Sequence, residues 1–235
     1  MTGIRPKTAS VAFLLLVSIV AVAGGGETGP AAKKVERVLF LGNSITLHGP
    51  LEKIGWLNNW GMAASAAEKD YVHLLVDAIA RRTGKRPEFR VENIADFERN
   101  FERFDLAQMK KHLDFKPDAI VVAIGENVPS LDSQQARQSF QASFARLLKT
   151  LQSEGRPAIY VRGCFWANAV KDDILRQCAR DTGAVFVDIG GLGKDESNHA
   201  RAERSYAHAG VADHPGDKGM KAIADALLAA MFPNQ

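Results

Sequence analysis

Three polar residues, far apart in the chain, are of types that together can transfer an acyl group: Ser44, Asn127 and His214. Ser44 stands in Gly42-Asn43-Ser44-Ile45-Thr46, where the apolar run Arg37–Leu41 breaks off. A serine hydroxyl becomes a nucleophile when a nearby base takes its proton. His214 stands in Ala212-Asp213-His214-Pro215-Gly216 and is the only one of six histidines directly before both a Pro-Gly turn and a C-terminal helical pattern. Its ring can serve as that base. Asn127 follows Gly125 and Glu126 after another apolar run, and its amide N–H₂ suits a developing oxyanion. Each residue also has a plain structural reading. Ser44 could cap a helix or turn, Asn127 could close an Asx-turn, and a lone histidine is commonly surface or core filler. The three in this order are more specific than any one alone.

These residues need a frame that carries them to one place. Five apolar runs alternate with helical patterns: Arg37–Leu41, Phe89–Asn93, Ala119–Ile124, Ala158–Arg162 and Val185–Asp188. Most are continuous rather than alternating, as parallel strands covered on both faces require. Pro87, Pro117 and Pro157 each precede a run, where a missing N–H costs a sheet little. Helices are predicted over 63–83, 105–113, 133–154, 169–182 and 216–231, with Gly155 and Gly183 as stops. Strand–helix alternation with right-handed crossovers gives an α/β, three-layer doubly wound domain. Ligands of such sheets sit outside the carboxyl ends of the strands, and the three residues follow the first strand, follow the third and precede the last helix.

The combination resembles the SGNH/GDSL hydrolase family. The first block of that family reads G-D-S, and here it is Gly42-Asn43-Ser44. The third reads G-x-N-D, matched by Gly125-Glu126-Asn127-Val128, and the last reads D-x-x-H, matched by Val211-Ala212-Asp213-His214 with Pro215 following. The likeness covers Arg37 to Met231. It implies a flavodoxin-like, five-stranded parallel sheet and serine-dependent ester hydrolysis with no metal and no cofactor. Ser44 would be the nucleophile and His214 the base, while the Ser44 N–H and Asn127 would receive the oxyanion.

Two departures stand out. Val211 occupies the place of the acid that would orient His214, and Asp213, the possible substitute, is an immediate neighbour whose side chain should diverge from the ring. A Ser–His dyad with a backbone carbonyl or another acid on His214 is the alternative. The second block lacks its glycine, whose N–H would complete the oxyanion hole. In "VENIADFERNF" that donor could be Ala95, Asp96, Phe97 or Glu98, and Glu98 is nearest the usual offset.

Trp56 and Trp60 cluster after the serine loop, and Trp166 follows the fourth strand. They read either as a hydrophobic plug or as a platform for a sugar ring, since indole faces pack on apolar surface and their edges donate an N–H. Glu126 could bind a substrate hydroxyl or simply be a solvated carboxylate. His48, four residues past Ser44, is a weaker candidate base. His199, His208, Asp213 and His214 lie near one another but match no regular metal-ligand spacing.

Bulk features set the context. The chain has 235 residues, 46% hydrophobic and 24% charged, which argues against disorder. Arg5 and Lys7 precede "VAFLLLVSIVAVA", closing on the small-x-small pattern Ala21-Val22-Ala23. Residues 1–23 therefore read as a secretory signal peptide, 24–34 as a linker and 35–235 as the catalytic domain. An uncleaved anchor is the rival reading. No cysteine follows the apolar stretch, which argues against a lipoprotein. The expected destination is secreted or periplasmic, with no integral membrane domain after cleavage. Without Arg5 and Lys7, 28 basic residues face 27 acidic ones, and no basic run is interleaved with aromatics, so nucleic acid is not an expected partner. Cys164 and Cys178 could be bridged or could be buried thiols. The expected substrate is a small ester or an acylated carbohydrate. A non-catalytic glycan-binding module on the same fold is the alternative.

Overall fold

The five apolar runs become five strands, β1 (Arg37–Gly42), β2 (Glu88–Asn93), β3 (Ala119–Ala123), β4 (Ala158–Arg162) and β5 (Val185–Val187). In this computed structural model, which describes residues 1–3 and 35–233, every pairing is parallel and the order is β2-β1-β3-β4-β5. The expected leader and linker lie outside the described residues, apart from the first three. Parallel strands with both faces covered need no polar alternation, and β3 is buried at all five positions. Successive side chains still go to opposite faces. Leu39, Leu41, Ile120 and Val122 join one hydrophobic cluster, and Val38, Phe40 and Val121 join another.

Helices cover both faces. Phe140, Phe144 and Leu147 of α4 (Gln134–Leu151) and Leu175 of α5 (Ala169–Thr182) complete the first cluster. Tyr71, Leu75 and Ile79 of α1 (Tyr71–Thr83) and Met220, Ile223 and Leu227 of α7 (Asp217–Met231) complete the second. Short helices α2 (Ala95–Asn100), α3 (Lys110–Leu113) and α6 (Ala209–Asp213) lie in the connections. This is a three-layer α/β/α domain with flavodoxin-like strand order. Among the described residues no helix is long and apolar enough to cross a membrane. Cys164 and Cys178 are both buried free thiols.

Boundaries shifted where local chemistry overrode periodicity. The helix expected over 63–83 starts only at Tyr71. Ala63 takes a left-handed φ of 73°, and the Asp70 side chain accepts from the His73 N–H as an N-cap. The preceding residues fold back on the serine loop, with Met62 N–H donating to Ser44 O (2.8 Å) and His48 N–H to Trp60 O (2.9 Å). The expected 105–113 helix is a 3₁₀ turn, Leu106–Met109, followed by α3. Helix α4 ends at Leu151, so Gly155, expected as its cap, lies in the turn beyond it with φ 69°.

Candidate active site

At the carboxyl end of β1 the chain turns back within four residues. A Cβ on Gly42 would lie 1.9 Å from Thr46 Oγ1, so only glycine permits the close return. The N–H groups of Thr46 and Leu47 both donate to Asn43 O at 2.9 Å, which leaves Ser44 at the crest. Its Oγ lies 2.8 Å from His214 Nε2. Two residues at opposite ends of the domain are thus brought into hydrogen-bond contact.

The other face of the imidazole fixes its tautomer. His214 Nδ1 lies 2.6 Å from Gly210 O. A carbonyl oxygen only accepts, so Nδ1 carries the hydrogen and Nε2 offers its lone pair to the Ser44 hydroxyl. Trp166 packs edge-on against the ring, with centroids 5.2 Å apart at 85°. The loop itself is anchored by Ala200 N–H on His214 O (2.8 Å) and by Gly216 N–H on Asn198 O (2.9 Å). Burial disfavours the charged imidazolium and holds His214 below its ordinary value, although the Gly210 carbonyl and the Glu126 charge pull the other way.

Asp213 does not orient His214. Its carboxylate is bonded by Arg201 and lies 3.3 Å from His199 Nδ1, because adjacent side chains diverge from an extended backbone. The position of the missing acid, Val211, is buried with Trp56, Met62, Ala63 and Ala200. The backbone one residue earlier supplies the acceptor instead.

Behind Ser44 lies a charged cluster that sequence reasoning did not anticipate. Glu98 was expected to offer its backbone N–H to an oxyanion. It is instead wholly buried, and its carboxylate accepts from Gly125 N–H (2.6 Å), Asn127 Nδ2 (2.7 Å), Asn127 N–H (3.1 Å) and Asn43 Nδ2 (3.1 Å). Of the other second-block donors, Ala95 N–H is engaged by Asn93 Oδ1 and Phe97 N–H by Ile94 O, which leaves Asp96. Glu126 is not solvated and cannot meet a substrate hydroxyl. Its side chain is 4% exposed and accepts from Arg162 Nη2 (2.8 Å), Phe165 N–H (3.0 Å) and Asn43 Nδ2 (2.7 Å). Arg162 is fully buried.

The two acids differ in charge state tendency. Burial pushes Glu126 up, but the Arg162 charge and the donors around it outweigh this and hold the carboxyl below its ordinary value. Glu98 has no cation of its own. Burial and then the Glu126 charge raise it, against the bonds from Gly125 and Asn127. Asn43 bridges the pair with its amide, one hydrogen to each carboxylate. An aspartate there would add a third carboxylate to the same pocket, which accounts for asparagine in the Gly42-Asn43-Ser44 block.

Asn127 is held from behind by Glu98, and its Oδ1 lies 3.4 Å from Arg99 Nη2. A helical wheel could have found Glu98, since it stands at helical spacing from Ile94 and Phe101, the residues that flank α2. Arg162 sits within a continuous buried run, and no sequence signal distinguishes it from a strand-end surface residue.

The tryptophans after the serine loop form a plug. Trp56 is 3% exposed and packs edge-on against Trp60 at 5.9 Å. Both indole N–H groups are taken by backbone carbonyls, Trp56 by His48 O and Trp60 by Ala64 O. Neither offers the free edge that a sugar platform needs, and Trp166 serves the His214 ring. His48 lines the pocket, but its Nδ1 faces Gly49 O and His214 holds the contact to Ser44. Among the described residues no three His, Cys, Asp or Glu side chains form a metal-ligand set.

The pocket over Ser44 encloses about 280 Å³ and is lined by His48, Met62, Asn93, Arg99, His208 and His214, among others. Among the described residues that line it, Arg99 is the one cation of fixed charge and none is a carboxylate.

The fold is that of the GDSL-type lipases and esterases. A psychrotrophic esterase from Pseudoalteromonas sp. superposes with a TM-score of 0.56 at 12% identity over 83% of this chain and 96% of that one. A putative GDSL-like lipase from Bacteroides uniformis gives 0.55 at 14% over 85% and 97%. An acetyl xylan esterase gives 0.50 at 15% over 83% and 98%. No protein-family model matches the sequence, and no curated protein matches it.

Proposed function

We propose that this chain is a serine esterase of SGNH/GDSL type that removes small acyl groups, acetyl foremost, from carbohydrate outside the cytoplasm. The observation that carries the reading is the 2.8 Å contact between Ser44 Oγ and His214 Nε2, with the tautomer set by Gly210 O. The fold shared with esterases, one of them an acetyl xylan esterase, supports the reaction class and the substrate. The apolar leader supports export.

Ser44 Oγ attacks the ester carbonyl carbon as its proton passes to His214 Nε2. The oxyanion is met by the Ser44 N–H and by the amide hydrogen of Asn127 that Glu98 does not hold. Collapse of the tetrahedral species breaks the bond to the alcohol oxygen, which takes the proton from His214. Water then gives its proton to His214 and attacks the acyl-serine, and the carboxylic acid leaves as Ser44 is restored. Glu98 and Glu126 touch no reacting atom. They hold Asn127 and Asn43, and so the oxyanion donors, in place.

The acid limb of kcat/KM should follow His214. A protonated ring cannot take the serine proton, so activity falls as pH drops through its pKa. Because that pKa is held below the ordinary imidazole value of 6.5, activity should persist to lower pH than an unperturbed histidine allows. A rate profile on a soluble acetyl ester whose acid limb centres above 6.5 would contradict this.

The rival, a non-catalytic glycan binder, is favoured by the absence of a carboxylate on His214 Nδ1. A fluorophosphonate probe separates the two. Covalent labelling mapped to Ser44 by mass spectrometry is expected. Well-folded protein that takes up no probe would establish the binder.

A further inference from the structure

The pocket over Ser44 has a neighbour across Arg99. A second cavity of about 350 Å³ shares Arg99 with it and is also lined by Arg103, Glu102 and Leu131. A third, of about 310 Å³, shares Ser130 and Leu131 with the second and reaches Arg137 and Lys171. Four cationic side chains therefore follow one another along a path that starts at the serine.

None of the four has a carboxylate partner within ion-pair distance among the described residues. Arg99 meets only the neutral Asn127 Oδ1, at 3.4 Å. Arg137 donates through Nε to Leu131 O (2.8 Å), and Lys171 donates to Gly125 O (3.1 Å) and Val128 O (2.5 Å). These carbonyls fix the cations in position without neutralising them. The two acids of the path are turned to hydroxyls instead, Glu102 to Ser139 Oγ (2.6 Å) and Asp132 to Ser130 Oγ (2.7 Å). Elsewhere Arg176, Arg201 and Arg204 are each matched with nearby carboxylates. Among the described residues lining the second and third cavities there is one Phe, Tyr or Trp, Phe101, which is 8% exposed. Stacking of nucleic-acid bases has nothing to rest on there.

We infer that this path is a subsite for a carboxylate-bearing glycan, an acidic polysaccharide whose acyl group is presented to Ser44 while uronate carboxylates seat on Arg99 and Arg103. The inference rests on the esterase reading above. Guanidinium groups bind carboxylates through paired N–H donors, and such charge-assisted bonds are the stronger class. Two acidic sugars bound on successive arginines would also fix the register of the chain over the serine.

The test compares kcat/KM on acetylated oligogalacturonate and on acetylated xylo-oligosaccharide of equal length. The wild-type enzyme should prefer the acidic chain by about tenfold or more, the scale of one charge-assisted bond. The preference should fall toward unity in Arg99→Gln/Arg103→Gln and at high salt. Equal wild-type rates, or a preference that survives both changes, would overturn the subsite. Should the wild type hydrolyse neither ester, the esterase reading fails by itself, and calorimetric titration with unesterified hexagalacturonate then decides the subsite. Saturable binding lost in the double variant sustains it, and no binding ends it. Tighter binding of inorganic polyphosphate than of the hexagalacturonate would overturn the carboxylate assignment.

Discussion

Replacing Ser44 by alanine is expected to lower kcat for ester hydrolysis by about 10⁴-fold or more, with the fold unchanged. The residue is small and sits at a crest, so a methyl group in place of the hydroxymethyl strains nothing around it. What disappears is the atom that forms the acyl-enzyme. The magnitude depends on how active the intact pair is, and there the Gly210 carbonyl matters. An orienting acid does two things for a catalytic histidine: it selects the tautomer, and it stabilises the imidazolium formed on attack. Loss of tautomer control is what makes removal of such an acid cost about 10⁴ in a serine protease. Here Gly210 O, 2.6 Å from Nδ1, retains tautomer control, and only the full negative charge is missing. The intact pair therefore has much activity to lose. Single-turnover and steady-state rates on an acetyl ester would measure it, and a folded Ser44→Ala protein within tenfold of wild type would remove Ser44 from the chemistry.

Arg162→Met should destabilise the domain by about 3–5 kcal/mol, the usual cost of leaving one buried charge without its partner. Arg162 is fully buried and its partner Glu126 is 4% exposed, so water does little to screen the pair. With the guanidinium gone, the Glu126 carboxylate would face the Glu98 carboxylate across the Asn43 amide alone. Glu126 would then tend to keep a proton in the folded state. A carboxyl raised above its unfolded value loses stability as pH rises through the new value, so the penalty should be smaller at pH 5 than at pH 8. Urea unfolding at both pH values checks the sign. Adding Glu126→Gln to Arg162→Met should recover part of the loss, because it removes the stranded charge. An Arg162→Met protein as stable as wild type at pH 8 would show that the pair contributes nothing to stability.

Much of the fold could be read from the sequence because most of its strands are continuous apolar runs with proline or glycine near their ends. That signature belongs to sheets covered on both faces, and all five strands fell within one residue of expectation at each end. The Ser44–His214 pairing followed from the strand end that carries Ser44 and from the Pro-Gly turn between His214 and the last helix. The rest was hidden for physical reasons. Pairing of Glu98, Asn43, Glu126 and Arg162 depends on three separate strand ends and a short helix meeting, which no local pattern encodes. Glu126 read as a surface acid because nothing nearby in sequence announces a cation from β4. Glu98 was assigned to the oxyanion through its offset from a missing glycine, whereas its burial follows from helical spacing with Ile94 and Phe101. Trp56 and Trp60 looked like part of a sugar platform because composition does not reveal that their N–H groups already have acceptors.

The acceptor on His214 Nδ1 belongs to the main chain, and a main-chain oxygen survives every side-chain substitution. Alanine scanning around this pocket would thus report a nucleophile and a base but no orienting acid. A search that demands an acid three residues before the histidine would pass this protein over, though Gly210 O holds its imidazole in the same tautomer.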